Sequence, residues 1–365
     1  MSTGLLGAIT FFIAFIGMIM VHEIGHFAAA RLMKISVEEF GFGIPPRMLT
    51  MFTWKGTKFT LNWLPLGGFV RLKGEDDPSI QGGMAAAKPW RKLIVLMSGV
   101  LMNLLTAVIA YSILFSQVGI PDQKSILITS VEEGAPASLA GLEPGDLVIY
   151  FNGEKVSNID SLIAQTHQNL GTPILLVVQR GEEQIEISIT PREEWPENSG
   201  PMGVALSNPF VTPKSWFLTL PVSFQATGRD IRNLLSLPVK LIAGTASPEE
   251  GQLAGPRSIW NIFQAAVASD VQSRQDSGSE NAQPTFYTLL VIIGLSVSVG
   301  TINILPIPAF DGGRILFILP ELLFHRSIPP KYQIAINGTA LILLIALMVF
   351  FYVKDFINPI SITFP

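Results

Sequence analysis

The stretch GLLGAITFFIAFIGMIMVHEIGHFAAA, residues 4–30, is an apolar run that carries three ionisable side chains, His22, Glu23 and His26, toward its C-terminal end. An ionisable side chain at the centre of a membrane-spanning helix costs roughly 2.5–3.5 kcal/mol on insertion scales, so a tight cluster of them calls for a partner that neutralises it. A divalent metal is such a partner. Residues i and i+4 lie one above the other on a helix, so the two imidazoles can grip one ion. In a His-Glu-x-x-His pattern the glutamate sits beside the metal without ligating it, placed to take a proton from water and hand it to a leaving amine. The competing readings are a chance match on a soluble helix, or two histidines satisfied by hydrogen bonds. The apolar setting counts against both.

The whole chain has the same character: 365 residues, 48% hydrophobic and only 14% charged. That composition excludes an ordinary soluble enzyme. Four stretches, about 4–30, 93–116, 286–310 and 335–353, are long enough to cross a hydrocarbon core of about 30 Å. The first has no basic residue before His22 and too long an apolar run for a signal peptide, and is read as a retained span. Residues 31–92 hold ten lysines and arginines against five acids, which marks that loop as cytoplasmic. Arg314, Arg326 and Lys331 after the third span agree, so both termini and residues 117–285 are expected on the opposite side. Residues 120–195 carry twelve acids and four bases, which argues against a nucleic-acid partner. The absence of cysteine excludes disulfides and thiolate catalysis.

Between the second and third spans, Ile126–Val131, Leu147–Phe151 and Ile174–Gln179 read as strands. They are punctuated by Gly141-Leu-Glu-Pro-Gly-Asp146, an Asn152-Gly153 turn and a helix over 160–168. The order resembles a bacterial, circularly permuted PDZ domain, which would offer a sheet edge and a pocket to an extended peptide. The alternative is a small β-rich spacer. His167 reads as an ordinary exposed helix residue. Residues 212–245 mix apolar residues with Arg229, Asp230, Arg232 and two prolines, and are expected at the membrane interface or against the sheet domain. Residues 255–268 read as a short amphipathic helix and 270–284 as a disordered linker.

Two histidines leave zinc short of its usual third protein ligand. The candidate is Asp311, in Asn303-Ile-Leu-Pro306-Ile-Pro308-Ala-Phe-Asp311-Gly312-Gly313. His22 lies about 25 Å along its span from the outer entry, and Asp311 follows a span entered from the same side, so both reach similar depth. Pro306 and Pro308 break the helix, which membranes tolerate where backbone lines a wet cavity. The alternative is that Asp311-Gly312-Gly313 caps the span where it meets water.

His-Glu-x-x-His in one span, Asn-x-x-Pro followed by Asp-Gly in a later one, and a PDZ-like module between them resemble the site-2 protease family of intramembrane zinc proteases, in its bacterial and plastid branch with one PDZ domain. Leu64-Pro-Leu-Gly-Gly-Phe-Val-Arg-Leu-Lys-Gly74 and Gln252-Leu-Ala-Gly-Pro-Arg-Ser-Ile259 are also similar to family elements. Ser98-Gly-Val-Leu-Met-Asn103 departs from the family's Gly-Pro-x-x-Asn.

The resemblance implies a polytopic α-helical membrane protein with four transmembrane helices, an inserted β-rich PDZ domain and a membrane-associated β-hairpin. Its parts are 1–118, with the His-Glu-x-x-His span and the hairpin loop; 120–210, the PDZ domain; 211–285, interfacial helices and linker; and 286–365. Zn2+ would be held by His22, His26 and Asp311, with Glu23 the proton carrier and Asn303 an oxyanion helper or substrate clamp. The edge of a 57–73 hairpin turning at Gly67-Gly68 would pair with an unwound substrate strand. Expected partners are the lipid bilayer and single-span membrane proteins, anti-sigma-factor-like ones among them, in a bacterial inner membrane or a thylakoid or other plastid membrane. A catalytically degenerate PDZ scaffold and a metal transporter are the alternatives. The scaffold would need a damaged catalytic set, and the transporter would need neither Glu23 nor the PDZ-like module.

Overall fold

In the computed structural model, which describes residues 2–75, 77–122, 124–196, 199–213, 215–245, 254–276, 284–360 and 364 apart from the side chains of 65 and 66, the opening apolar run is one helix, α1 (Thr3–Leu32). Its length of about 45 Å exceeds the hydrocarbon core. It stops where Lys34 takes a φ of 61° and the Ile35 N–H reaches back to Ala30 O at 2.8 Å.

Two long strands follow, β1 (Val37–Trp54) and β2 (Thr57–Leu72). They are joined by Lys55-Gly56, both at positive φ as a tight hairpin turn requires. Each strand pairs twice: Phe40 opposes both Val70 and Phe59, while Thr50 opposes Thr60. The segments therefore lie in the order 67–72, 37–44, 57–62, 47–54, with 67–72 at one edge. The turn expected at Gly67-Gly68 is present: 58–64 advances in register with 39–44 while 68–72 runs against 37–42, so the chain reverses between Leu64 and Gly68. Gly67 takes a φ of 99° in that turn, and the returning segment reaches Leu72 on the other side of 37–44. A separate reversal lies at Lys55-Gly56, where two consecutive left-handed residues stand between the directly paired segments 47–54 and 57–62. Helix α2 (Pro89–Val118) comes next.

By packing, the chain divides into two compact units, Met1–Leu114 with Leu220–Pro365, and Phe115–Thr219. The second contains β3 (Ile120–Pro121), β4 (Ile126–Val131), α3 (Pro136–Leu139), β5 (Leu147–Phe151), β6 (Glu154–Lys155), α4 (Ile159–Gln168), β7 (Ile174–Arg180), β8 (Glu183–Ile189), β9 (Val204–Ser207) and β10 (Phe210–Val211). Its main sheet runs β8-β7-β5-β4-β9 with β6 on β5, while β10 pairs with β3. Ile126, Ile128, Leu162, Leu176 and Val178 fill the core. Asp146, at the end of the Gly-Leu-Glu-Pro-Gly-Asp string, is fully buried. It accepts the Glu143 N–H at 2.9 Å and the Arg180 guanidinium at 2.7 and 2.8 Å. Burial pushes its carboxyl up, but Arg180 and the Glu143 N–H outweigh this and hold it below the usual carboxylate range. The string therefore closes its own turn and fastens it to β7.

The second unit ends in a 3-10 turn (Trp216–Thr219), and the first resumes with α5 (Leu220–Ala243), α6 (Pro256–Asp276), α7 (Tyr287–Ile304), α8 (Asp311–Phe324) and α9 (Pro330–Ile357). Among the described residues, α1, α2, α7 and α9 are the helices long and apolar enough to cross a membrane. Helix α5 packs on α7, and Tyr111 of α2 donates to Asp230 of α5 at 2.5 Å. The linker expected over 270–284 is helical as far as Asp276. Its polarity serves as a cap: Asp270 is buried and accepts the N–H groups of Tyr287 and Thr288 at 2.8 and 2.9 Å, satisfying the start of α7. At the other end of α6, Asp355 of α9 accepts the N–H groups of Arg257 and Ser258. Residues 277–283 of the expected linker, and Gln252 and Leu253 of the 252–259 element, lie outside the described residues.

Candidate metal centre

His22 and His26 lie one helical turn apart on α1, both buried. Asp311 arrives from the first turn of α8, after α7 ends at Ile304 and the chain bends back through the two prolines. The bend depends on glycine. A Cβ on Gly312 would lie 2.1 Å from Leu305 O and one on Gly313 2.4 Å from Ile307 O, so only these residues let α8 start against the backbone it has just left.

The three side chains meet. His22 Nε2 and His26 Nε2 are 3.1 Å apart, and each is 3.2 Å from Asp311 Oδ2. A tetrahedral zinc ion with bonds of about 2.0–2.1 Å needs ligand atoms about 3.3–3.4 Å apart. The observed triangle is one face of such a tetrahedron to within a few tenths of an ångström. The donor set, two imidazoles and a carboxylate, is one that zinc takes in hydrolytic sites, and Asp311 Oδ2 is buried without a hydrogen-bond partner. Among the described residues, this trio is the one group of three or more such side chains able to share an ion.

The trio opens into a cavity of about 500 Å³, lined also by Glu23, Asn303, Arg314 and residues 69–72 of β2. All five site residues named from sequence therefore border one space. The edge segment 67–72 passes close to α1: a Cβ on Gly68 would lie 2.9 Å from Met20 Sδ and 3.4 Å from Glu23 Cγ. The Glu23 carboxylate lies against the Val70 backbone.

Sequence reasoning missed what stands behind the histidines. His26 Nδ1 lies 2.8 Å from Val95 O, and His22 Nδ1 lies 3.2 Å from the Asn103 amide. Between these partners on α2, a Cβ on Gly99 would come within 2.4 Å of His26 Nε2, and one on Gly25 would come within 2.5 Å of Ser98 O. A readable signal existed: Asn103 is a polar residue in an apolar span, eight positions after Val95 and on the same helix face.

A sequence profile of peptidase family M50 matches residues 10–347. The chain belongs to peptidase family M50, the site-2 protease family. Two bacterial proteins, each named "Putative zinc metalloprotease", are similar over nearly their whole lengths. That of Clostridium perfringens is 30% identical, covering 95% of this chain and 98% of its own. That of Synechocystis is 31% identical, covering 93% and 92%. The chloroplastic membrane metalloprotease ARASP of Arabidopsis thaliana is 29% identical, covering 92% and 76%. This M50 member is thus a zinc metalloprotease and a multi-pass membrane protein, with a sheet-containing unit inserted between its membrane helices.

Proposed function

We propose that this protease hydrolyses peptide bonds of membrane-spanning substrate segments, with zinc held by His22, His26 and Asp311, and that its sheet unit is a PDZ domain that selects substrates. The observation that carries the reading is the triangle of ligand atoms, matched to zinc, in a cavity that also holds a carboxylate and a free strand edge.

Zinc bound there supplies Lewis acidity and makes water acidic enough to give up a proton near neutral pH. Glu23 takes that proton as the water oxygen bonds to the scissile carbonyl carbon, then delivers it to the nitrogen as the C–N bond breaks. Asn303, on the same cavity wall, is placed to hold the carbonyl oxygen or the substrate strand. A substrate helix hides its carbonyls in its own hydrogen bonds, so a segment must unwind before attack. The edge of 67–72 offers replacement bonds by strand addition next to Glu23.

The hairpin's far side exposes Met48, Leu49, Met51, Phe52 and Trp54, which fits insertion into the bilayer surface. The excess of basic residues over 31–92 supports a cytoplasmic position for the centre and the opposite side for the sheet unit.

Two features favour the PDZ reading. Strand β9 ends the main sheet and leaves an edge unpaired, and a cavity of about 340 Å³ runs beside it, walled by α4 and Met202. His167, exposed on α4 as expected, stands on that wall with its ring edge-on to Trp195 at 5.5 Å. An extended chain end could add to β9 with side chains in this cavity.

The test is Glu23→Gln in purified protein, with zinc content measured beside cleavage of a single-span substrate. Zinc should stay and cleavage should vanish. Substantial residual turnover would sink the proton-transfer role, and loss of zinc with activity would make Glu23 a ligand.

A further inference from the structure

Helix α2 presents Val95, Gly99 and Asn103 at successive four-residue steps to the histidine pair. Val95 contributes a carbonyl, which can only accept. His26 must therefore carry its hydrogen on Nδ1, leaving Nε2 as the lone-pair atom.

The Asn103 amide has both a donor end and an acceptor end. With its amino group toward the ring, His22 Nδ1 would have to accept, which moves the ring hydrogen onto Nε2, the atom 3.2 Å from Asp311. His22 could not then ligate through that atom. The same placement strands Asn103 Oδ1, which is buried with no partner in a side chain that is 0% exposed. Turning the amide over moves no backbone atom. It brings the carbonyl to His22 Nδ1–H and the amino group to the oxygen's former place, and it frees the Nε2 lone pair, which is what decides between the two orientations.

We infer that Asn103 is a positioning residue that locks His22 in the tautomer able to hold zinc, with its carbonyl oxygen toward the ring. This rests on the reading of His22 and His26 as ligands. The two histidines are then set from behind by one helix, one through a backbone carbonyl and the other through a side chain. Only the second is open to mutation. Gly300 of α7 lies beside this part of α2: a Cβ on Gly300 would lie 3.4 Å from Asn103 Cβ.

The experiment uses the full-length, zinc-loaded protein and follows zinc release to a competing chelator, beside the ring-nitrogen spectrum, which holds only four histidines. Asn103→Leu keeps the bulk and removes the acceptor, and should release zinc about 10–100-fold faster. Asn103→Asp keeps the acceptor in the same place and should hold zinc as the wild type does, with the His22 signal unchanged. Asn103→Ala gives the same comparison should the leucine variant fail to fold. Release by Asn103→Leu at the wild-type rate overturns the inference, as does Asn103→Asp releasing as fast as Asn103→Leu, since packing alone would then account for the residue. His22→Ala separates the two levels: unchanged zinc content there would overturn the ligand reading, whereas normal loss there with no effect at Asn103 overturns only this inference.

Discussion

Replacing Gly99 by alanine sets two physical effects against each other at one atom. Helix propensity alone makes Gly→Ala in the middle of a helix stabilising by about 1 kcal/mol. The new methyl, however, would lie 2.4 Å from His26 Nε2 and 2.7 Å from His22 Cε1. Carbon contacts become comfortable only near about 3.5 Å, so both rings must retreat by roughly 1 Å. Overpacking of this kind costs about 1–3 kcal/mol, which matches or exceeds the propensity gain. Overall stability should therefore move by no more than about 2 kcal/mol. The site should suffer far more, because metal sites tolerate about 0.2 Å in ligand distance and a 1 Å error at reacting groups costs about 100-fold in rate. Gly17→Ala on α1 and Gly294→Ala on α7 are the controls, since a methyl at either meets nothing within 4 Å. The assay is zinc content, cleavage rate and melting temperature on the three variants. Wild-type zinc and turnover in Gly99→Ala would refute the claim that α2 sets the ligand positions by close approach.

Asp311→Ala should strip zinc and abolish cleavage, whereas Asn303→Ala should keep the metal and lose turnover; full zinc occupancy in the aspartate variant would place the third ligand elsewhere. In the sheet unit, Asp146→Ala should cost about 1–3 kcal/mol, because it leaves the Glu143 N–H unpaired and strips Arg180 of its two-bonded carboxylate, leaving that guanidinium only Glu143 and the Gly141 carbonyl. Since the folded carboxyl titrates below its unfolded value of about 3.9, its contribution should be complete above that pH and fade as the pH falls through the lower folded value. Thermal unfolding of the wild type and Asp146→Asn between pH 7 and 2.5 checks this, and identical profiles would contradict it. Excising 120–211 is sterically simple because Ile120 and Val211 are paired neighbours in β3 and β10. The shortened enzyme should keep zinc and chemistry but change its rate ratio between substrates with and without a folded outer domain, and an unchanged ratio would favour a spacer.

The candidate site residues were legible because polar and ionisable groups in apolar sequence stand out one by one. His22, Glu23, His26, Asn303 and Asp311 could be named without coordinates, as could β4, β5, β7 and α4, whose alternation and caps are local. What escaped depends on contacts between distant segments. Gly67-Gly68 does turn the chain, but only the pairing shows that the two arms flank 37–44 instead of pairing with each other. The polar run 270–276 looks disordered because the donors that Asp270 satisfies belong to a helix starting more than ten residues later. Asn103 was noticed as a family position but given no role, since nothing in the linear sequence says that it faces His22.

The arrangement of glycines bears on how the centre forms. In lipid there is no hydrophobic drive between helices, so close backbone approach at small residues does much of the work of association. Gly25 sits against Ser98, Gly99 against both histidines, and Gly312 and Gly313 against the 305–308 backbone, so each ligand-bearing segment is located by a contact that makes no use of the ion. Zinc here should therefore complete a site that packing has already set, unlike small zinc domains in which the ion drives folding. Chelation should abolish cleavage while leaving helix content and resistance to added protease unchanged. The melting temperature should fall only by the linkage amount, which is about 2.7 kcal/mol at a free zinc concentration 100 times Kd and vanishes as zinc is withdrawn. Readdition should restore full activity without a refolding lag. Loss of helix content or rapid digestion of the stripped protein would show instead that the ion holds α1, α2 and α8 together, and the packing argument would fail.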